Sequence, residues 1–321
     1  MTKEIGGYFE LEQFVSDEYY KDLIHLNSAR NALLYLIKSK KIEKVYIPYY
    51  LCNSVSNMLE RFGYKYEYYR IAADFSPILN KELKKQEFLY IVNYFGQLSK
   101  EKILSIKDKH KQIIIDNTQA FFQRPLTSID TIYSCRKFFG VPDGAYLSTD
   151  KLLNEELEFD FSKDRMVHLL GRFEGIASDY YSDFLEVDER FNDEPLKQMS
   201  KITRNFLGAI DYENVIQKRN RNFSYLDNEL SKLNNIKLIS PKGPFCYPFY
   251  TENAFQLRRD LAEKKIYIPI LWSNVLQETS KESIEYRYSA NILPIPCDQR
   301  YDLDDMKYIV ECINSKEEIY C

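Results

Sequence analysis

The sequence predicts an α/β protein with a mostly parallel central sheet and a smaller α/β unit toward its C-terminal end. Short apolar runs, such as those at 44–48, 88–93 and 113–115, alternate with segments of helical periodicity through the first half. Strand and helix in strict alternation imply right-handed βαβ units and a parallel sheet. A second, shorter set of strand and helix patterns follows a long helical stretch that begins near Leu196. The 321 residues, 45% hydrophobic and 15% aromatic, suffice for one large core with a smaller appendage.

Residues 29–38 place apolar side chains at helical spacing, with Asn27 or Ser28 positioned to cap the helix. Residues 44–48 read as a buried strand ended by Pro48, 53–62 as a helix, 64–71 as extended, and 79–85 as weakly helical. A strand at 88–93, a helix at 100–110 and a strand at 113–115 follow, then two strands at 131–134 and 145–148. The region 154–192 is acidic, aromatic and irregularly helical, and 196–233 reads as one long helix or a broken pair. Beyond it lie 236–240, 245–250, 254–264, 266–270 and a last helix at 304–314. The expected division is a large domain at 1–200, then a bridging helix and small domain at 201–321. In such sheets functional groups gather at the carboxyl ends of the strands.

Composition excludes several classes of function. With 44 basic and 48 acidic residues, a formal net charge of -4 offers no positive field for nucleic acid or an anionic membrane. The six cysteines form no CxxC pair and there are three histidines, so no metal site is expected. The N-terminal residues have no apolar signal core, and no run approaches the ~18 apolar residues of a membrane helix. The expectation is a cytoplasmic protein with reduced thiols.

Two residues stand out chemically. Asp116 follows the run Ile113-Ile114-Ile115, and a carboxylate there is costly to bury unless paired. It is either the partner of a buried cation or a loop carboxylate capping Asn117 or Thr118. Lys137, in Ser134-Cys135-Arg136-Lys137, lies between two strands on a loop closed by Gly140, Pro142, Asp143 and Gly144. By default it is an exposed loop lysine, but Phe138 and Phe139 are placed to desolvate its amine. An acid and then a lysine are the minimum electronics of pyridoxal phosphate chemistry. A carboxylate keeps the pyridine nitrogen protonated, and an amine forms a Schiff base with the aldehyde. Ser28 and the helix it precedes offer free N–H groups suited to a phosphate, and Ser134 offers a hydroxyl.

In order along the chain, Ser28-Ala-Arg-Asn-Ala-Leu, Val45-Tyr-Ile-Pro48, Asn93-Tyr-Phe-Gly-Gln97, Ile115-Asp-Asn-Thr-Gln-Ala120 and Ser134-Cys-Arg-Lys-Phe-Phe-Gly-Val-Pro-Asp-Gly144 resemble the DegT/DnrJ/EryC1/StrS sugar aminotransferases, of pyridoxal phosphate fold-type I. Met199-Ser200 and Leu293-Pro-Ile-Pro296 extend the likeness. The resemblance implies that Lys137 carries the cofactor and Asp116 pairs with its pyridine nitrogen. It implies Gln119 beside the ring and O3′, backbone amides of Ala29 and Arg30 and the Ser134 hydroxyl on the phosphate, and Ser28 at the same helix end. The serine here precedes the lysine by three positions, where the family's spacing is five. Cys52 stands where the ring-stacking aromatic is usual, with Tyr49 or Tyr50 as substitutes. Also implied are glutamate as amino donor, a nucleotide-linked keto sugar as acceptor and a homodimer with shared active sites. Arg172 and the Asp179-Tyr-Tyr181 loop are places to look for cross-subunit groups. For the diphosphate, Arg172, Arg219 and Arg221 are candidates; His168 and Trp272 are candidates to face substrate. Two alternatives stand beside this: a lyase or dehydratase of the same fold, and a non-catalytic member with a sensory or structural role.

Overall fold

The computed structural model of the chain describes residues 5–14 and 16–320. The larger unit runs β1 (Ile24–Leu26), α1 (Ala29–Lys40), β2 (Lys44–Pro48), α2 (Ser54–Arg61), β3 (Lys65–Ile71), β4 (Pro77–Ile78), β5 (Glu87–Val92), α3 (Lys100–His110), β6 (Ile113–Asp116), β7 (Asp130–Ser134) and β8 (Ala145–Ser148). These strands form one sheet of order β1-β8-β7-β6-β5-β2-β3-β4. From β3 through β2, β5 and β6 to β7 the neighbours are parallel, while β8, β1 and β4 join antiparallel. The sheet is therefore mixed at its edges and parallel at its centre. Parallel strands covered by helices on both faces need apolar residues at every position, which explains the unbroken Ile113-Ile114-Ile115 run.

Helix α1 shows how the sequence builds this layer. Ser28 caps it by accepting from Asn31 N at 3.2 Å, and Lys41 ends it in the left-handed region at φ 54°. Leu33, Leu34, Leu36 and Ile37 between the caps are all buried, each contributing about 1.5–3 kcal/mol.

The chain continues through α4 (Val167–Glu174), α5 (Tyr181–Arg190), α6 (Lys201–Leu207) and α7 (Tyr212–Leu230). The predicted long helix is thus a broken pair. Gly208 closes α6 and Asp211 caps α7 by accepting from Asn214 N. The smaller unit holds β9 (Tyr247–Tyr250), α8 (Ala254–Glu263), α9 (Val275–Glu278), α10 (Ile284–Asn291), β10 (Ile292–Ile295) and α11 (Leu303–Tyr320), with β9 and β10 antiparallel. Leu226, Leu230, Phe249, Leu257, Leu261, Leu293 and Ile309 give it a core of its own. Buried Glu285 on α10 ties it to the large sheet, accepting from Ile71 N at 2.9 Å and Arg70 Nη1 at 3.0 Å.

Three expected elements are absent. Residues 79–85 form no helix, because the chain spends this stretch returning from the β3–β4 hairpin and is mostly exposed. At 236–240 no strand pairs with β9, since the Asn234 side chain meets that edge instead, accepting from Tyr250 N and donating to Pro248 O. Ile266 and Ile268 are buried but 266–270 pairs with no strand, and Pro269 has no N–H to give to a ladder. No helix among the described residues is long and apolar enough to cross a membrane.

Candidate active site

The carboxyl ends of β5 and β6 lie level, and β7 runs two residues further, to Ser134. Val92 is opposite Asp116, and Asp116 is opposite Ile132. Asn93 N donates to Asp116 O at 3.0 Å and Asn117 N to Ile132 O at 2.8 Å, so the ladder continues one step past each strand. The Asp116 side chain is therefore rooted in the sheet and only 4% exposed. Its Oδ1 accepts from Thr118 N at 2.8 Å and its Oδ2 from the Tyr90 hydroxyl at 2.6 Å. Burial, then the Asp116 charge beside it, pushes the Tyr90 phenol well above its ordinary range, so it stays a donor.

Lys137 lies on the loop between β7 and β8. Cys135 O accepts from both Phe138 N and Phe139 N, and Cys135 N donates to Gly144 O, closing the loop tightly. The Lys137 amine reaches across to Thr118 Oγ1 at 3.0 Å, so Thr118 touches both the acid and the amine. The phenylalanines do not desolvate this amine as the sequence suggested. Phe138 and Phe139 turn into an aromatic cluster with Phe121 and Phe122, and Lys137 itself is exposed. Gly144 opens β8 at φ 112°, where a Cβ would come within 2.9 Å of Thr203 Cγ2. Its N–H donates to Asn27 O, which brings the start of α1 against the lysine loop.

At that helix end Ser28 O and Oγ serve Ala32 N and Asn31 N, leaving the N–H groups of Ala29 and Arg30 without a partner among the described residues. Ser134 ends β7 opposite Ala145, itself opposite Leu26 just before α1. Ser134 is 8% exposed, and its hydroxyl takes no hydrogen-bond partner among the described residues. Gln119 is fixed by Phe95 N, which donates to its Oε1 at 2.9 Å from a backbone held at φ 55°.

The two residues expected to substitute in ring stacking sit differently. Tyr50 is 1% exposed, packed against Tyr94, Trp272 and Tyr288, so its ring belongs to the core. Tyr49 is half-buried and stacked on Tyr68, with ring centres 4.6 Å apart. Cys52 is half-buried, its Sγ 2.9 Å from Ser54 Oγ.

Of the diphosphate candidates, Arg219 is removed by the structure. It is 1% exposed and donates to Gln299 Oε1 and Pro244 O, both at 2.7 Å, and to Phe138 O at 3.3 Å. An α7 residue expected to meet a diphosphate is a bolt beneath the lysine loop. Arg172 and Arg221 are exposed. His168 packs edge-on to Phe184 on the α4–α5 hairpin, and Trp272 packs edge-on to Tyr50 and Tyr94. No group of three or more His, Cys, Asp or Glu residues able to hold a metal occurs among the described residues.

Sequence reasoning offered the Thr118 N–H as a group for Asp116 to cap but missed the Thr118 hydroxyl on Lys137 and missed Tyr90. Tyr90 sits inside an apolar strand, and a buried tyrosine must place its hydroxyl on something polar. In a parallel sheet the polar end of the adjacent β6 is the obvious place, once the strand order is known.

No family model and no curated protein matches the sequence. Solved structures do match. An aminotransferase of the DegT DnrJ EryC1 StrS type from Brucella abortus superposes with a TM-score of 0.62 at 14% identity, covering 91% of this chain and 85% of that one. The sugar aminotransferase CalS13 from Micromonospora echinospora gives 0.61 at 12% identity, covering 91% and 87%. NtdA from Bacillus subtilis, with its bound cofactor PMP, gives 0.64 at 13% identity, covering 91% and 72%. The chain adopts the fold of the DegT/DnrJ/EryC1/StrS-type aminotransferases.

Proposed function

We propose that the protein is a pyridoxal phosphate-dependent aminotransferase that moves an amino group from glutamate to a nucleotide-linked keto sugar. The observation that carries this is the Asp116–Thr118–Lys137 linkage, in which a buried acid at the end of β6 and an exposed amine after β7 meet one threonine. The fold supports the same reading, since neighbours that share it are named sugar aminotransferases and one holds PMP.

The residues present fit the cofactor. Two unpartnered N–H groups at the start of α1 and the free Ser134 hydroxyl are donors for a phosphate. Asp116 is an acceptor for a protonated ring nitrogen, and Lys137 is an accessible amine. When bound, the cofactor supplies an electron sink that lets the amino group leave one carbon and join another.

The protein's share is positional and electrostatic. Asp116 holds a proton on the ring nitrogen, and Tyr90 and Thr118 N keep its carboxylate aimed, each taking one oxygen. Lys137 would hold the cofactor and, as a free amine, would move a proton at the substrate carbon through Nζ. Thr118 Oγ1 steadies that amine. Gln119, its Oε1 held by Phe95 N, would be the side chain to meet the cofactor's O3′. A homodimer in the cytoplasm, each site completed by the other copy, belongs to the same proposal.

The test is spectroscopic. Purified protein given pyridoxal phosphate should develop a band near the visible edge that borohydride bleaches. Glutamate should abolish the band and a nucleotide-linked keto sugar should restore it. If glutamate leaves the spectrum unchanged over a broad pH range while another amino acid is deaminated, the transaminase reading fails and the lyase reading replaces it.

A further inference from the structure

The segment 188–194, just where α5 ends, is clasped by four arginines from four different places. Arg136 of the lysine loop donates Nη2 to Asp188 Oδ1 at 3.1 Å and lays its guanidinium 3.9 Å from the centre of the Phe191 ring. Arg30, in the first turn of α1, donates Nη1 to Asn192 Oδ1 at 2.5 Å. Arg61, at the end of α2, donates to Asn192 O at 2.8 Å and Asp193 O at 3.2 Å, and pairs with Asp193 Oδ1 at 3.3 Å. Arg165 donates to Glu194 Oε1 at 2.9 Å.

These cations are unequally compensated. Arg165 also has Asp160 at 2.6 Å and Asp143 at 3.6 Å, and Arg61 has Asp193. Arg30 and Arg136 have Asp188 between them, and the direct contact of Arg30 is a neutral amide. Both side chains are half-buried, and burial pulls both below the ordinary arginine range despite that acid. Half-buried cations that share one exposed carboxylate leave positive charge unmet, a costly arrangement unless an anion arrives.

Their position says which anion. Arg30 adjoins the unpartnered N–H groups of Ala29 and its own backbone, and Arg136 lies two residues after the unpartnered Ser134 hydroxyl. A planar guanidinium fork matches phosphate oxygens, and a phosphate monoester carries about −1.5 to −2 charge at pH 7. Two arginines match that charge; one aspartate does not.

We propose that Arg30 and Arg136 form a two-guanidinium subsite for a phosphate group beside Lys137, and that the chain's own 188–192 turn occupies it until a phosphate takes its place. Asp188 and Asn192 are one helical turn apart, so lifting that turn frees both arginines together. Only the source of the phosphate rests on the function proposed above: the cofactor supplies it, or the diphosphate of a sugar nucleotide does. Affinity for either is lowered by the fraction of molecules in which the turn is seated.

The experiment titrates the full chain at low salt with inorganic phosphate, pyridoxal phosphate, pyridoxal and UDP, reading heat or fluorescence. Three proteins are compared: the natural one, Asp188→Asn and Arg136→Met, whose apolar stem still covers Phe191. Asp188→Asn, at an exposed side chain, should tighten the phosphate ligands about tenfold, and Arg136→Met should weaken them about tenfold. Pyridoxal, which lacks a phosphate, should respond to neither. Changes confined to pyridoxal phosphate and inorganic phosphate assign the subsite to the cofactor, and changes confined to UDP and inorganic phosphate assign it to the substrate. If the natural protein takes up no pyridoxal compound, yet inorganic phosphate still follows Asp188 and Arg136, the subsite stands and the cofactor reading falls. Phosphate affinities within twofold of one another in all three proteins, or pyridoxal shifting as far as its phosphate, overturn the proposal.

Discussion

The amine of Lys137 lies 3.0 Å from Thr118 Oγ1, and this contact joins the loop after β7 to the turn after β6. Thr118 N in turn donates to Asp116 at 2.8 Å. The strand order that sets β6 beside β7 therefore converts a distant acid and amine into one local unit.

Lys137→Ala should abolish the band formed with pyridoxal phosphate while leaving the fold unchanged. The side chain is exposed and its hydrogen bond goes to Thr118, so stability should move by no more than ~0.5 kcal/mol. A borohydride-reducible band that survives in the variant would send the search to another lysine.

Asp116→Asn keeps the shape of the side chain and removes its charge. Pyridoxal phosphate should still bind through its phosphate and Lys137, but the glutamate half-reaction should slow by at least ~100-fold, the scale of losing a transition-state charge partner. Tyr90→Phe tests the same carboxylate from behind. It strips a buried hydrogen bond of 2.6 Å from Oδ2 and should lower stability by about 1–3 kcal/mol in chemical unfolding. Near-natural turnover by Asp116→Asn would remove Asp116 from the proposed role.

Much of this unit was legible in the sequence because its signals are local. An isoleucine run that delivers a charge, a serine before a helix and a lysine between two strands each mark a position without reference to the rest of the chain. What was not legible depends on contacts across the fold. Tyr90 and the Thr118 hydroxyl acquire meaning only from the pairing of β5, β6 and β7. Arg219 stood as a diphosphate candidate beside the charged Lys218 and Arg221, and only the packing of α7 against the lysine loop shows it buried. The edge strand β1 is three residues long, too short for periodicity to register.

Arg219 yields a prediction that separates support from substrate binding. Replacement by Met keeps much of the volume but leaves Phe138 O and Pro244 O each short of a buried charged donor. A loss of about 3 kcal/mol in urea unfolding is expected, the scale of breaking such a buried charged contact. The KM for a nucleotide sugar should stay within about twofold at temperatures where the variant is folded. A large rise in KM with unchanged stability would restore Arg219 as a substrate ligand.

Asp143 gives the fold a pH dependence of definite sign. It is fully buried, accepting from Ser200 N and Ser200 Oγ, both at 3.1 Å, with Arg165 Nη2 at 3.6 Å. Burial outweighs those contacts and pushes the carboxyl up to about 6. An unfolded aspartate titrates at about 3.9. Between about pH 4 and 6 the folded chain therefore holds a proton that the unfolded chain has lost, so this group's contribution to stability falls as pH rises through that window and is level above it. A tenfold difference in proton affinity between the two states is worth about 1.4 kcal/mol, which makes the effect on the order of 3 kcal/mol. Asp143→Asn keeps an acceptor for Ser200 N and cannot titrate. Urea midpoints measured from pH 4 to 7 should fall less steeply, or rise more steeply, for the variant than for the natural protein. Parallel curves would mean that Asp143 is ionised throughout, with Arg165 as its effective counter-charge.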